Sequence, residues 1–534
     1  MTKLPALFLF LILCQLVFSQ HIEKTEAQPF KLSVGTYGTT VIGADENFLY
    51  LQSLNTKLML SQTQKVVDVP TLSRISKKTL EPQKEATYKE LIKGRDWVGF
   101  LMIRNRIYFF SKEKNGKTGL DVFAAELDKE SLQPVGETKK LGTFSLNQHY
   151  ESAQVAIKVG VDSSRFLLIV DGDKENNVIQ VVLTDLDLKT QPINSLTVRP
   201  TGKSFIHSGV WLLSNGFVLV RGSVFDEVQE GRKTKRKLKG FSSKLYSDKG
   251  ILISEQMEEA NLQVPMVTYI KENNEKQVEM IGFIGNNPEE RKLTGIYYKL
   301  IDIFTGNPKA EIFQPFEGLH PVIAKKLNED NSFRLKSISL APDGKNRVLI
   351  AESYQEMNMT RRESNNRDYY RTDLFFRDLL IIQFNPLDKI NWVSLVPRNQ
   401  ITMMNSSADW WNFSPWTPID HFPGTSSGLY GSTATIPRKE ALYLLFNDNP
   451  ENSGVISPDA KVSRSGGATG VPNLIKIDYI SGKLSRSVLT GIPKGMGILS
   501  PKVFGKGDNW YLLSREHTGF GLAKFEYHFS LLKF

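Results

Sequence analysis

The strongest constraint on this chain is a turn that keeps coming back. Between two apolar, β-rich runs sits a group of about five turn formers, carrying Asp or Asn with Gly or Lys. The clearest copy is residues 379–397, where an apolar run meets Asn385-Pro386-Leu387-Asp388-Lys389 and a second, alternating run follows. Further copies lie near residues 129, 187, 248, 305 and 481. The first four intervals are about 60 residues and the later ones longer, which places loop insertions near 355–372 and 400–435. An apolar strand or strand pair precedes most copies, such as 97–110 turning at Arg104-Asn105 and 210–225 turning at Asn215-Gly216. No long helical period interrupts the pattern. Residues 63–93 are more charged and read as a long loop with a helical turn over 85–92.

One small antiparallel sheet cannot bury both of its faces, so such units must stack on each other. The expected fold is therefore all-β: a β-propeller of about seven blades, with six to eight admitted. The last strands, 510–534, are expected to complete a blade with strands from 30–60, which hides two sheet edges. Two stacked β-sandwiches are the alternative. A membrane barrel is a weaker one, because Glu526, His528 and Ser530 break the apolar alternation of the final strand.

Residues 1–19 read as a secretory signal peptide. Lys3 supplies the positive start, 4–13 the apolar core and Val17-Phe18-Ser19 the small-residue cleavage pattern before Gln20. Residues 20–534 then form a single propeller domain. Acylation of Cys14 is opposed by Ile12 and Leu13, where a small residue is wanted. Cys14 is the only cysteine, so the exported chain has no disulfides and must rely on its core. A net charge of +10 over 534 residues is a mild bias. Together with export it argues against nucleic acid and leaves anionic glycans or lipid head groups as charge partners. No later apolar run is long enough for a membrane helix.

Chemistry is harder to find. Asp409-Trp410-Trp411-Asn412-Phe413-Ser414-Pro415-Trp416 to His421 gathers three tryptophans inside an insertion. Exposed indoles stack on sugar rings or anchor a protein, so Asp409, Trp410, Trp411, Phe413, Trp416 and His421 are the candidate ligand site, the alternative being aromatics that fill local gaps. Gly424-Thr425-Ser426-Ser427-Gly428 matches a hydrolase elbow in letters only: Pro423 precedes it and no helix follows. Asp171-Gly172-Asp173 and Asn447-Asp448-Asn449 with Glu451 and Asn452 read as capped turns before ion sites. The histidines are scattered, so no metal set, cofactor motif or catalytic constellation emerges. Arg232, Lys233, Lys235, Arg236 and Lys237 form a basic hairpin tip, either solvated or a patch for an anionic partner. A second basic stretch, Arg361, Arg362, Arg367 and Arg371, is interleaved with Tyr369 and Tyr370.

Asp378-Leu379-Leu380-Ile381-Ile382, Ile390-Asn391-Trp392, Pro397-Arg398-Asn399-Gln400 and Phe446-Asn447-Asp448-Asn449 with Asn452 resemble a pattern of uncharacterised secreted β-repeat proteins of the Bacteroidota. The resemblance covers about residues 375–500, with Asp388-Lys389 where Gly is expected and Arg398 where Lys is expected. It implies export and a β-repeat, propeller-like fold, and it carries over no catalytic residue. The expected function is a binding or scaffold role at the cell surface or in the periplasm, for a glycan or another cell-envelope protein. The alternative is a polysaccharide- or peptide-acting hydrolase or lyase whose carboxylates converge in the central channel.

Overall fold

A computed structural model describes residues 22–26, 28–31, 36–56, 68–146, 154–173, 178–197, 204–230, 233–259, 264–273, 276–285, 293–329, 333–362, 368–405, 433–466, 470–489, 497–498, 504–517 and 525–534. They build eight sheets, antiparallel but for one short parallel pair. The first seven blades follow the chain at 36–87, 96–145, 154–197, 204–259, 264–315, 333–405 and 434–488, and in the first five the strands pair in sequence order. In the sixth, Asp368–Phe384 pairs with both Ile390–Val396 and Gln400–Asn405, and the latter runs parallel to Ser465–Gly466, which the seventh skips when Ala441–Asp448 pairs with Val471–Asp478. The eighth joins the two ends of the chain. Glu23–Glu26 and Phe30–Lys31 pair with Phe525–Lys533, which pairs in turn with Asn509–His517. The molecule is an eight-bladed β-propeller, and the terminal strands close it.

Two details differ from the sequence expectation. The closing strand is 23–31, whereas Phe48–Thr56 lies in the first blade beside Thr36–Ala44. Residues 63–93 are largely strand: Asp68–Ser76 and Pro82–Thr87 are the outer half of that blade, and only Glu90–Ile92 makes a helical turn. One nine-residue helix, Pro321–Glu329, links the fifth and sixth blades. No helix among the described residues is long and apolar enough to cross a membrane.

The core lies between blades. Tyr108, Phe110 and Val122 of the second blade pack on Phe166, Leu168 and Val170 of the third, all of them buried. Ile281, Phe283 and Tyr298 of the fifth do the same against Leu349, Leu380 and Ile382 of the sixth. Burying side chains of this kind is worth roughly 1.5–3 kcal/mol each, so every blade depends on its neighbours for its stability.

Antiparallel meanders sort the connections onto two faces. The turns between a blade's first and second strands, and between its third and fourth, lie on one face. The second-to-third connections and the links between blades lie on the other. The first, hereafter the turn face, is made of short turns that satisfy themselves. Asp128 Oδ1 accepts from the backbone N–H groups of Glu130 and Ser131 and from the Ser131 hydroxyl. Asp302 and Asp478 repeat this with Phe304 and Thr305, and with Ile480 and Ser481. Side chains of Asp and Ser are suited to this because they reach their own backbone two or three residues on.

In blades two, three, five, six and seven the third-to-fourth-strand turn is also held by the blade before it. Arg74 donates to Lys129 O at 3.2 Å, Tyr108 to Leu186 O at 2.7 Å, and Asn215 to Ile303 O at 3.3 Å. Gln314 donates to Asn385 O at 2.7 Å, and Gln383 and Trp392 both donate to Tyr479 O at 2.8 and 3.1 Å. The donors are of five residue types, so this recurring latch has no sequence signature.

Candidate functional site

On the loop face two hairpins outrun all other strands. Val218–Glu230 with Lys233–Tyr246 belongs to the fourth blade, and Arg347–Arg362 with Asp368–Phe384 to the sixth. The predicted basic tip is the arm of the first. Lys233, Lys235, Arg236 and Lys237 stand in register opposite Glu230, Val228, Glu227 and Asp226. Residues directly opposite share a sheet face, so acidic positions accompany the basic ones. Arg232 lies outside the described residues, as do Asp409, Trp410, Trp411, Phe413, Trp416, His421 and the stretch Gly424–Gly428. In the second hairpin Arg361 stands opposite Tyr369 and Arg371 opposite Met359, so long strands take up 355–362 and 368–372.

That second hairpin is rooted in a buried charge network between the sixth and seventh blades. Glu352, fully buried, accepts from the Thr433 hydroxyl, and its Oε1 lies 3.4 Å from Arg398 Nη1 and 3.9 Å from Lys336 Nζ. Arg398 Nη1 also donates to Thr433 Oγ1 at 3.0 Å, and Arg398 N–H to Asp378 Oδ1 at 3.2 Å. Asp378 in turn receives Lys326 from the inter-blade helix at 2.6 Å. One step further on, Arg486 pairs with buried Asp448 and donates to Pro397 O at 2.9 Å. The Phe446 ring lies between the two guanidinium groups, 5.2 Å from Arg398 and 5.6 Å from Arg486. Burial drives the Arg398 guanidinium below its ordinary value, and Glu352 and Asp378 oppose that shift.

Asn447-Asp448-Asn449 through Asn452 is the capped turn the sequence suggested. Asn449 caps the helical turn 450–452 by accepting from Glu451 N–H, and Asn452 donates to Asp448 Oδ1 at 3.0 Å. The residues that carry the family resemblance, Asp378, Arg398, Phe446, Asp448 and Asn452, are thus members of one inter-blade joint.

The fourth and fifth blades share a second charged joint. Glu258 receives Arg221 and Lys299, each at 2.8 Å, and the Tyr297 hydroxyl at 2.9 Å. Burial by itself would raise the Glu258 carboxyl, but Arg221 and Lys299 prevail and hold it down at about 2. Glu279 takes Arg347 bidentately at 2.6 and 3.1 Å across the fifth and sixth blades. Sequence reading missed these groups because their partners are distant: 37 residues separate Arg221 from Glu258, and 46 separate Glu352 from Arg398. The available signal was a charge inside an apolar strand, as in Val220-Arg221-Gly222 or Ala351-Glu352-Ser353. Among the described residues no three His, Cys, Asp or Glu side chains cluster closely enough to hold a metal ion.

No family model and no curated protein matches the chain. Among solved structures it is similar to a europium-containing methanol dehydrogenase (9% identity, TM-score 0.40, covering 96% of this chain and 93% of that one). It is also similar to the polysaccharide lyase Uly1 (8%, 0.34, 83% and 90%) and to the quinohemoprotein alcohol dehydrogenase of Comamonas testosteroni (10%, 0.39, 95% and 76%). Likeness at this level carries no chemistry over to this chain.

Proposed function

We propose that this chain is an exported, non-catalytic binding or scaffold propeller of the cell surface or periplasm, which takes its partner on the loop face. The observation that supports this reading is the division of labour between the faces. The two longest hairpins and the connection that holds the Trp410, Trp411 and Trp416 cluster all arise on one side, while the other is closed by short, self-capped turns. The buried carboxylates are committed to basic partners: Glu258 and Glu279 pair with Lys299 and Arg347 of the next blade, and Glu352 and Asp448 with Arg398 and Arg486 of their own, which in turn reach Thr433 and Pro397 across the sixth–seventh joint, an assignment that fits a rigid platform. Tryptophans able to stack, in a chain that also carries a basic arm, suit a glycan or a cell-envelope protein.

The test is titration of the purified chain against a glycan panel and isolated envelope proteins. Saturable binding that is lost when Trp410 and Trp411 are both replaced by Ala is the expected result. Binding that survives that replacement overturns the site. Shortened polysaccharide or peptide products after incubation with the chain overturn the non-catalytic reading.

A further inference from the structure

A row of four buried side chains crosses the sheet that rises from the sixth blade. Tyr354 stands in register with Phe376, Phe376 with Gln400, and Gln400 with Ser465. Register partners share a sheet face, so the four lie side by side, with no more than 2% of any of them exposed. Arg398, two residues before Gln400, joins this face. Its guanidinium lies 5.6 Å from the Phe376 ring, and the Ser465 N–H donates to Asn399 O at 2.9 Å.

Two donors on this face end without an acceptor. Arg398 donates from Nε to Arg377 O at 3.1 Å and from Nη1 to Thr433 and Glu352. Its Nη2 has no partner among the described residues, although the side chain is wholly buried. The Ser465 hydroxyl is equally buried and equally without a partner. A buried donor with no acceptor carries the full desolvation penalty of its group, so two of them on one face call for a group that accepts from both.

The field at this face is positive. Phe446 separates Arg398 from Arg486, and both guanidinium groups are driven below their ordinary value. For Arg398 the cause is burial, which outweighs Glu352 and Asp378. For Arg486 it is burial and then the charge of Arg398, which bring it down to about 10. Glu352 does not serve Arg398 alone, because its Oε1 also accepts from Thr433 and faces Lys336 at 3.9 Å. Water would accept from both donors but leave the Arg398 charge under-compensated. A guanidinium N–H and a hydroxyl, enclosed beside two buried cations, match an acceptor with one negative charge and a size no larger than a carboxylate.

We infer that Arg398 Nη2 and Ser465 Oγ together hold one small monovalent anion, a halide or a carboxylate group, at the joint of the sixth and seventh blades. The experiment is equilibrium dialysis of the full chain in gluconate buffer, whose anion is too bulky for an enclosed site. One arm carries radiolabelled chloride and the other radiolabelled acetate. One anion per chain is expected to bind saturably, and the arm with the higher affinity tells whether the site takes a halide or a carboxylate. S465A should weaken that binding about tenfold, because a hydrogen bond to a charged group is lost. S530A removes another buried hydroxyl without a partner, in the eighth blade, and should leave the binding unchanged. In gluconate alone S465A should unfold thermally with the parent, since its hydroxyl has no partner among the described residues. The bound anion should raise the midpoint of the parent and of S530A more than that of S465A. The inference is overturned if neither anion binds saturably, if S465A binds as tightly as the parent, or if S530A loses as much as S465A.

Discussion

The first three blades and the fourth to seventh solve the same packing problem in different ways. In the first group the joints are apolar and aromatic. Tyr50, Tyr88, Phe100 and Phe109 fill the first, and Tyr108, Phe110 and Phe166 the second. Among the described residues every buried Lys, Arg, Asp or Glu lies in the second group, from Arg221 to Arg486. The turns divide in the same way. The left-handed position after the cap is a buried leucine in blades one to three, Leu80, Leu132 and Leu188, with φ of 60°, 55° and 59°. In blades four, five and seven it is Gly250, Gly306 and Gly482. A blade that draws its cohesion from apolar area can keep a strained leucine, because the burial outweighs about 1–2 kcal/mol of backbone strain. Charged joints gain less net stability but demand one set of partners, so they specify which blades meet and in what register.

The largest effect should come from breaking a charged joint on one side only. Glu352→Ala strands Arg398 and Lys336 in a buried site and should cost about 3–5 kcal/mol in denaturant unfolding. The double variant Glu352→Leu, Arg398→Met should recover part of that loss. A cost for Glu352→Ala below about 1 kcal/mol would erase the distinction between the two kinds of joint.

Next comes the leucine turn. Leu132→Ala should cost about 3 kcal/mol, because the side chain is fully buried. Leu132→Gly should cost no more than Leu132→Ala, although it removes one carbon further, since glycine alone carries no penalty at a φ of 55°. A glycine variant clearly less stable than the alanine one would show that the turn is not strained. At Gly482 the opposite change is unfavourable, because an added Cβ would lie 2.6 Å from the Trp392 ring.

A smaller effect separates the groups by pH. The Glu258 carboxyl, held at about 2 by Arg221 and Lys299 against the cost of burial, binds its proton more weakly folded than unfolded. Its contribution is therefore complete above the ordinary carboxyl value of about 4.5 and is lost as pH falls toward 2. In Glu258→Gln stability should be lower by about 2 kcal/mol at neutral pH and flatter between pH 5 and 3, as read by urea midpoints across that range. An unchanged acid slope would remove Glu258 from the account.

The smallest expected change is at a cap. Asp478→Ala should cost about 1 kcal/mol by thermal unfolding, since it removes the acceptor for two backbone N–H groups and the Ser481 hydroxyl. A loss as large as that of Glu352→Ala would mean that the turns, rather than the joints, hold the ring.

Much of this fold is legible in the chain. The turns read near 129, 187, 248, 305, 387 and 481 are the third-to-fourth-strand turns of blades two to seven, because cap and capped backbone lie within four residues of each other. The eighth blade was harder to count for two physical reasons. The first blade's turn, Ser76–Leu80, is capped by a serine and holds no Asp, Asn or Gly, so it lies hidden in a charged stretch. The closing sheet draws its strands from opposite ends of the chain.

What the amino-acid order determined by itself is the repeating hairpin and its capped turn, since those hydrogen bonds close over a few neighbouring residues. The tertiary structure alone decided which charges meet and which carbonyl each blade offers its neighbour. Those partners stand as far apart as the 96 residues between Gln383 and Tyr479, and only the folding of the ring brings them together.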